Sequence, residues 1–193
     1  MAARRIGCIG WGSLLWDPRT LPMAAPFALE APELPIEFSR VSLDGRVTLV
    51  IDRAAPALQT YTVPMAVDGL EEAVEALAIR EKVVPARRGE WIGYQERGEE
   101  MGGGATPEVV RATIAAWLER TDFDAVVWTA LPSRRPDGEL GLPTLDALLE
   151  HLQALRGEAL TRAEEYIRRA PPAVRTPYRA HFEAKLGWSS WPP

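Results

Sequence analysis

The sequence predicts an α+β fold: a small, mostly antiparallel β-barrel with flanking helices, followed by a helical C-terminal extension. Three observations predict it. Short apolar or β-branched runs recur at 6–9, 34–43, 47–51 and 59–67, each the length of a strand. Asp44-Gly45 joins two of these runs, and that dipeptide is a strong hairpin signal. From residue 144 onward the pattern turns helical, over 144–156, 161–169 and 174–186.

Each element has its own reason. The run at 6–9 is apolar and stops at Gly10, as a buried strand does. Gly10-Trp11-Gly12-Ser13-Leu14 then reads as a tight loop, because glycine reaches backbone angles closed to other residues. Pro18 and Pro22 predict irregular chain after it. Ile36, Phe38 and Val41 mark the second strand, and 47–51 returns from the hairpin. Tyr, Thr and Val enrich 59–67. A helix is expected over 70–82, with Leu70, Val74, Leu77 and Ala78 as its apolar stripe. A strand is expected at 91–94 and a buried one at 125–131. Between them, residues 96–105 end in Gly102-Gly103-Gly104 and read as a loop. Thr106-Pro107-Glu108 opens a helix to about residue 120, with Thr106 as cap and Pro107 at the first helical position. Pro171-Pro172 separates the last two helices. The whole is expected as a single domain over 1–193, with a core at 6–131 and the helical extension at 144–193.

Composition narrows the function. The 193 residues are 47% hydrophobic and 25% charged, which is ordinary for a globular chain that buries a sizeable core. The net charge of -5 gives no reason to expect a nucleic-acid partner. Cys8 is the only cysteine, so no intrachain disulfide forms, in keeping with a reducing compartment. Gly10, Gly12 and Asp17 interrupt the N-terminal apolar run too early for a signal-peptide core. No stretch reaches the roughly 18 apolar residues of a membrane span. A cytoplasmic protein without a membrane partner is expected. Nothing in the residues specifies an oligomeric state.

Several chemistries lack their residues. No third glycine follows Gly10 and Gly12 at dinucleotide-fingerprint spacing. Lys82 follows a helix rather than a glycine loop, so no phosphate loop is present. Ser13 is not in a Gly-x-Ser-x-Gly elbow, and nothing in the sequence ties His151 or His181 to it. Histidine and cysteine do not cluster, so no metal is expected. What remains is the glycine loop and a carboxylate, Glu81, at the end of the first long helix.

Those two features carry a resemblance. Gly10-Trp11-Gly12-Ser13-Leu14-Leu15-Trp16 resembles the Gly-Tyr-Gly-Ser-Leu signature of gamma-glutamylcyclotransferase-like proteins, and most of all their glutathione-degrading branch. Leu77-Ala-Ile-Arg80-Glu81-Lys82 resembles that branch's Leu-x-x-Arg-Glu segment. The order also matches, and the resemblance covers residues 6 to 94. It implies conversion of a gamma-glutamyl compound into 5-oxoproline and an amine, without metal or cofactor. Glu81 is then the expected catalytic residue. Gly10, Trp11, Gly12, Ser13 and Leu14 are the expected cradle for the glutamyl portion, through exposed main-chain N–H groups. Glu81 is expected to face a partly dry cavity. Arg80 and Lys82 flank it in sequence, but neighbours on a helix point in different directions, so their charges need not reach its carboxylate. Trp11 departs from the family's tyrosine, and an indole cannot replace a phenolic hydroxyl. Tyr61 and Tyr94 are the alternatives for that hydroxyl. Two other readings stay open. One is a non-catalytic module binding a small molecule or a protein on the same fold. The other is a scaffold using the Trp188 to Pro193 tail, unless that tail packs onto its own helices.

Overall fold

The computed structural model describes residues 4–99 and 106–191. The Gly102-Gly103-Gly104 run, expected in a loop, lies outside the described residues, as do Pro192 and Pro193 of the tail. The strands among the described residues are β1 (Ile6–Gly10), β2 (Glu33–Val41), β3 (Val47–Ile51), β4 (Ala57–Gln59), β5 (Tyr61–Pro64), β6 (Ile92–Glu96) and β7 (Ala125–Thr129). The helices are α1 (Leu70–Glu81), α2 (Arg88–Trp91), α3 (Glu108–Leu118), α4 (Leu145–Ala154), α5 (Gly157–Arg169) and α6 (Pro177–Leu186). The fold is α+β with two mostly antiparallel sheets.

The chain divides into two compact units, each built from three segments. The first takes the described residues of Met1–Gly10, Asp17–Leu34 and Gln59–Leu131; the second takes those of Trp11–Trp16, Pro35–Leu58 and Pro132–Pro193.

The first unit holds a four-stranded sheet in the order β5-β1-β7-β6. β1 runs antiparallel to β5 and parallel to β7, and β6 runs antiparallel to β7. Every residue of β1 and β7 is buried. Strands covered on both faces read as unbroken apolar runs, which suits a parallel central pair. Helix α1 packs against β1, β6 and β7. Gly93 sits opposite Trp128, and a Cβ there would overlap the indole. The indole Nε1 donates to Thr106 Oγ1 at 3.0 Å. Thr106, expected to cap α3, instead satisfies this buried tryptophan, and α3 begins at Glu108 with no side-chain cap.

The expected barrel does not form. The four-stranded sheet is open, with β5 and β6 at its edges, and β2, β3 and β4 make a separate sheet ordered β3-β2-β4. The reason lies in β1. Being apolar on both faces, it takes the distant β7 as a parallel neighbour instead of extending a meander. The expected strand at 59–67 is also broken, at Thr60, whose Oγ1 donates to Pro32 O at 2.6 Å.

In the second unit the β2–β3 hairpin turns at Asp44-Gly45, with Gly45 at φ +85° and Ser42 N–H donating to Arg46 O at 2.8 Å. The register shifts between Glu37 and Arg40, the mark of a bulge. Thr144 and Thr176 cap α4 and α6, accepting from Ala147 N and Arg179 N. Phe38 packs edge-on to Tyr166 and Phe182, with centroids 6.4 and 5.8 Å away. Glu37 is buried and accepts from Phe38 N at 2.8 Å and Tyr178 N at 3.2 Å, which ties β2 to the first turn of α6. The tail packs back onto α5: Trp188 is buried and Trp191 N donates to Arg168 O at 3.0 Å. Arg168 and Arg169 flank the Trp191 ring at 5.6 and 5.8 Å. Among the described residues, no helix is long and apolar enough to cross a membrane.

Candidate functional site

Glu81 is positioned by the way α1 ends. Lys82 takes the left-handed conformation at φ 57°. Its N–H donates to Ile79 O at 3.1 Å, and Val83 N–H reaches Ala78 O at 2.9 Å. These two bonds are a Schellman motif, which absorbs orphan carbonyls of the last turn. Arg19 adds a third donor, from Nη1 to Arg80 O at 3.2 Å.

The Glu81 side chain is only 14% exposed. Arg80 Nη1 donates to its Oε1 at 2.8 Å, and Thr129 Oγ1 donates to the same oxygen at 3.3 Å. Among the described residues, Oε2 accepts no such bond. Arg80 is itself buried, and its Nη2 donates to Asp17 O at 2.6 Å. Of the two neighbouring charges, that of Arg80 does reach Glu81. Successive helical residues diverge, but the helix ends here and the guanidinium is long enough to fold back. Lys82 lies exposed.

Thr129 closes β7, and Gly10 closes β1 beside it, since Ile9 pairs with Trp128 in parallel register. Glu81 thus stands at the joint carboxyl ends of a parallel pair, where open sheets commonly place ligands. Cys8 lies on β1 in the same neighbourhood. Burial pushes its thiol up to about 12; the Glu81 carboxylate adds to the rise and Arg80 opposes it. A thiol so protonated is no nucleophile near neutral pH.

The glycine loop opens the second unit. Trp11 is extended and buried, and its Nε1 donates to Leu49 O at 3.2 Å. Gly12–Leu14 forms one 3-10 turn, closed by Leu15 N–H on Gly12 O at 3.1 Å. Gly12 has φ +63°, and a Cβ there would lie 2.6 Å from Tyr166 Oη. Glycine is required twice over, by angle and by space. Ser13 is half-buried and Leu14 is buried.

Of the expected tyrosines, Tyr61 lies on β5 and Tyr94 on β6, both half-buried. The hydroxyl that meets the glycine loop belongs to Tyr166, on α5. Sequence reasoning missed it because no motif links α5 to residue 12. Thr129 was also missed; its one signal is a hydroxyl ending an otherwise apolar strand. His151 Nε2 lies 2.7 Å from Gly45 O, bracing the hairpin, and His181 is exposed on α6. No group of three or more His, Cys, Asp or Glu among the described residues is placed to hold a metal ion. Comparison with family models, curated proteins and solved structures finds no match to this chain.

Proposed function

We propose that this chain is a gamma-glutamylcyclotransferase-like enzyme, releasing 5-oxoproline from a gamma-glutamyl amine, amino acid or peptide. The observation that carries the reading is Glu81: a carboxylate largely withdrawn from water, with both its donors on Oε1. The motif resemblance at residues 10–16 and 77–82 supports the choice of reaction.

The substrate's own α-amine attacks its own γ-carbonyl. A five-membered ring closes as the new N–C bond forms, and the carbonyl becomes an oxyanion. Glu81 Oε2 takes the proton from the attacking nitrogen. When the tetrahedral centre collapses, the original C–N bond breaks and the departing amine takes that proton back. Atoms balance without water, and no electrons change hands. The nucleophile is tethered, so its effective concentration comes with the substrate. One carboxylate serves as base and then acid. The Arg80 and Thr129 donors fix its orientation. The main-chain N–H groups at 12–14, with Gly10 and Trp11 leading into them, have the role the resemblance implies: holding the glutamyl portion.

The Arg80–Glu81 pair favours a second reading, a binding module in which Glu81 only helps to close α1. One experiment separates the two. A panel of gamma-glutamyl compounds is incubated with the protein in ¹⁸O-enriched water. Cyclisation yields 5-oxoproline carrying no solvent oxygen. Labelled glutamate would indicate hydrolysis, and no product from any compound would leave the binding module.

A further inference from the structure

We infer that Tyr166 is a positioning residue for the glycine loop, and that through the loop the C-terminal helices govern substrate binding. This inference rests on the reading above in its second half only. Its first half concerns the loop itself.

The geometry closes a ring of contacts within the second unit. β3 lies at the edge of its sheet, so outward main-chain groups on it need partners. Leu49 finds two. Its carbonyl accepts from Trp11 Nε1 at 3.2 Å, and its N–H donates to Tyr166 Oη at 3.4 Å. The same Oη occupies the space that a Cβ on Gly12 would need. Trp11, Leu49, Tyr166 and Gly12 therefore hold one another in turn.

The phenol is held in place from several sides. Tyr166 is 6% exposed. Trp16 packs edge-on at 5.3 Å, Phe38 packs likewise, and the Arg46 guanidinium lies 5.4 Å from the ring centre. These neighbours fix the ring, and the ring sets where Gly12 can sit. The loop keeps an indole where the resembling family has a tyrosine. Here that indole is an anchor on β3, and α5 brings a phenol to the adjacent residue.

The test uses Tyr166→Phe, which keeps the ring and its aromatic contacts and removes one oxygen. Amide hydrogen exchange is followed for the peptide spanning residues 11–15. Exchange is expected to quicken by about tenfold or more, as a local constraint is lost. With any gamma-glutamyl compound that the protein turns over, KM is expected to rise about tenfold while kcat stays within about twofold, the pattern of lost uniform binding. Gly12→Ala is expected to damage the intact protein more than the Tyr166→Phe background, where the clash is relieved; this cycle reads the contact without any activity. Unchanged exchange overturns the inference outright. Faster exchange with unchanged KM overturns the link to substrate. If the parent protein turns over nothing, the enzyme reading alone falls, and exchange together with the cycle decides the role of Tyr166.

Discussion

Glu37 shows how a single buried acid can act against the usual pH trend. It sits under the first turn of α6, and burial pushes its carboxyl above the ordinary value. Hydrogen bonds from Thr176, Phe38 and Tyr178 oppose that rise without cancelling it. A carboxyl that is harder to ionise when folded favours folding in its protonated form. Its contribution is fully present below the unfolded value, near 4.5, and is lost as pH rises through the elevated folded value. Glu37→Gln removes that dependence. The urea midpoint of the variant, relative to the parent, is expected to rise as pH goes from about 4 to 7. A relative midpoint that falls over the same interval would contradict the assignment. Asp44 has the opposite sign: although burial raises it, bonds from Arg46 and Ser42 bring it below its ordinary value, so its contribution fades in acid.

At the scale of elements, the end of α1 places Glu81, and its weakest feature is Lys82 in the left-handed region. A side chain there costs about 1–2 kcal/mol relative to glycine. Lys82→Gly is expected to raise stability by about 0.5–1 kcal/mol once the added freedom of the unfolded chain is counted. Denaturant titration reads this directly, and a loss of stability would contradict the Schellman reading. The helix was legible in sequence from its apolar spacing, but its buried face is Ala73, Leu77, Ala78 and Arg80, and Leu70 and Val74 of the expected stripe are only half-buried. The hairpin at Asp44-Gly45 was legible because local turn chemistry dictates it. The Pro85–Arg87 turn and α2 were not, because elements so short carry no periodicity. Nor was the β1–β7 pairing. Both runs read as buried strands, but nothing in a run of valines names its neighbour so far away along the chain. The site followed the same division. Glu81 and the loop at 10–14 stood out through local motif, whereas Thr129 and Tyr166 enter only through tertiary placement.

For the molecule as a whole, neither compact unit is a continuous stretch of chain. Residues 35–58 share a core with the segment from Pro132 onward: Phe38 meets Tyr166 and Phe182, and Leu49 meets Tyr166. The motif resemblance at 6–94 therefore runs through segments of both units, and the C-terminal helices are part of the structure that the glycine loop belongs to. The chemical account still comes down to one side chain. The measurement that tests it most directly is the rate of 5-oxoproline release by Glu81→Gln beside the parent protein, on the best substrate of the panel, with thermal midpoints compared. Loss of a general acid–base is expected to lower kcat by about 100-fold or more in a variant that remains folded at the assay temperature, with a midpoint lowered because the buried Arg80 loses its anionic partner. A Glu81→Gln variant that folds and still turns over within about threefold of the parent would contradict the role given to this carboxylate.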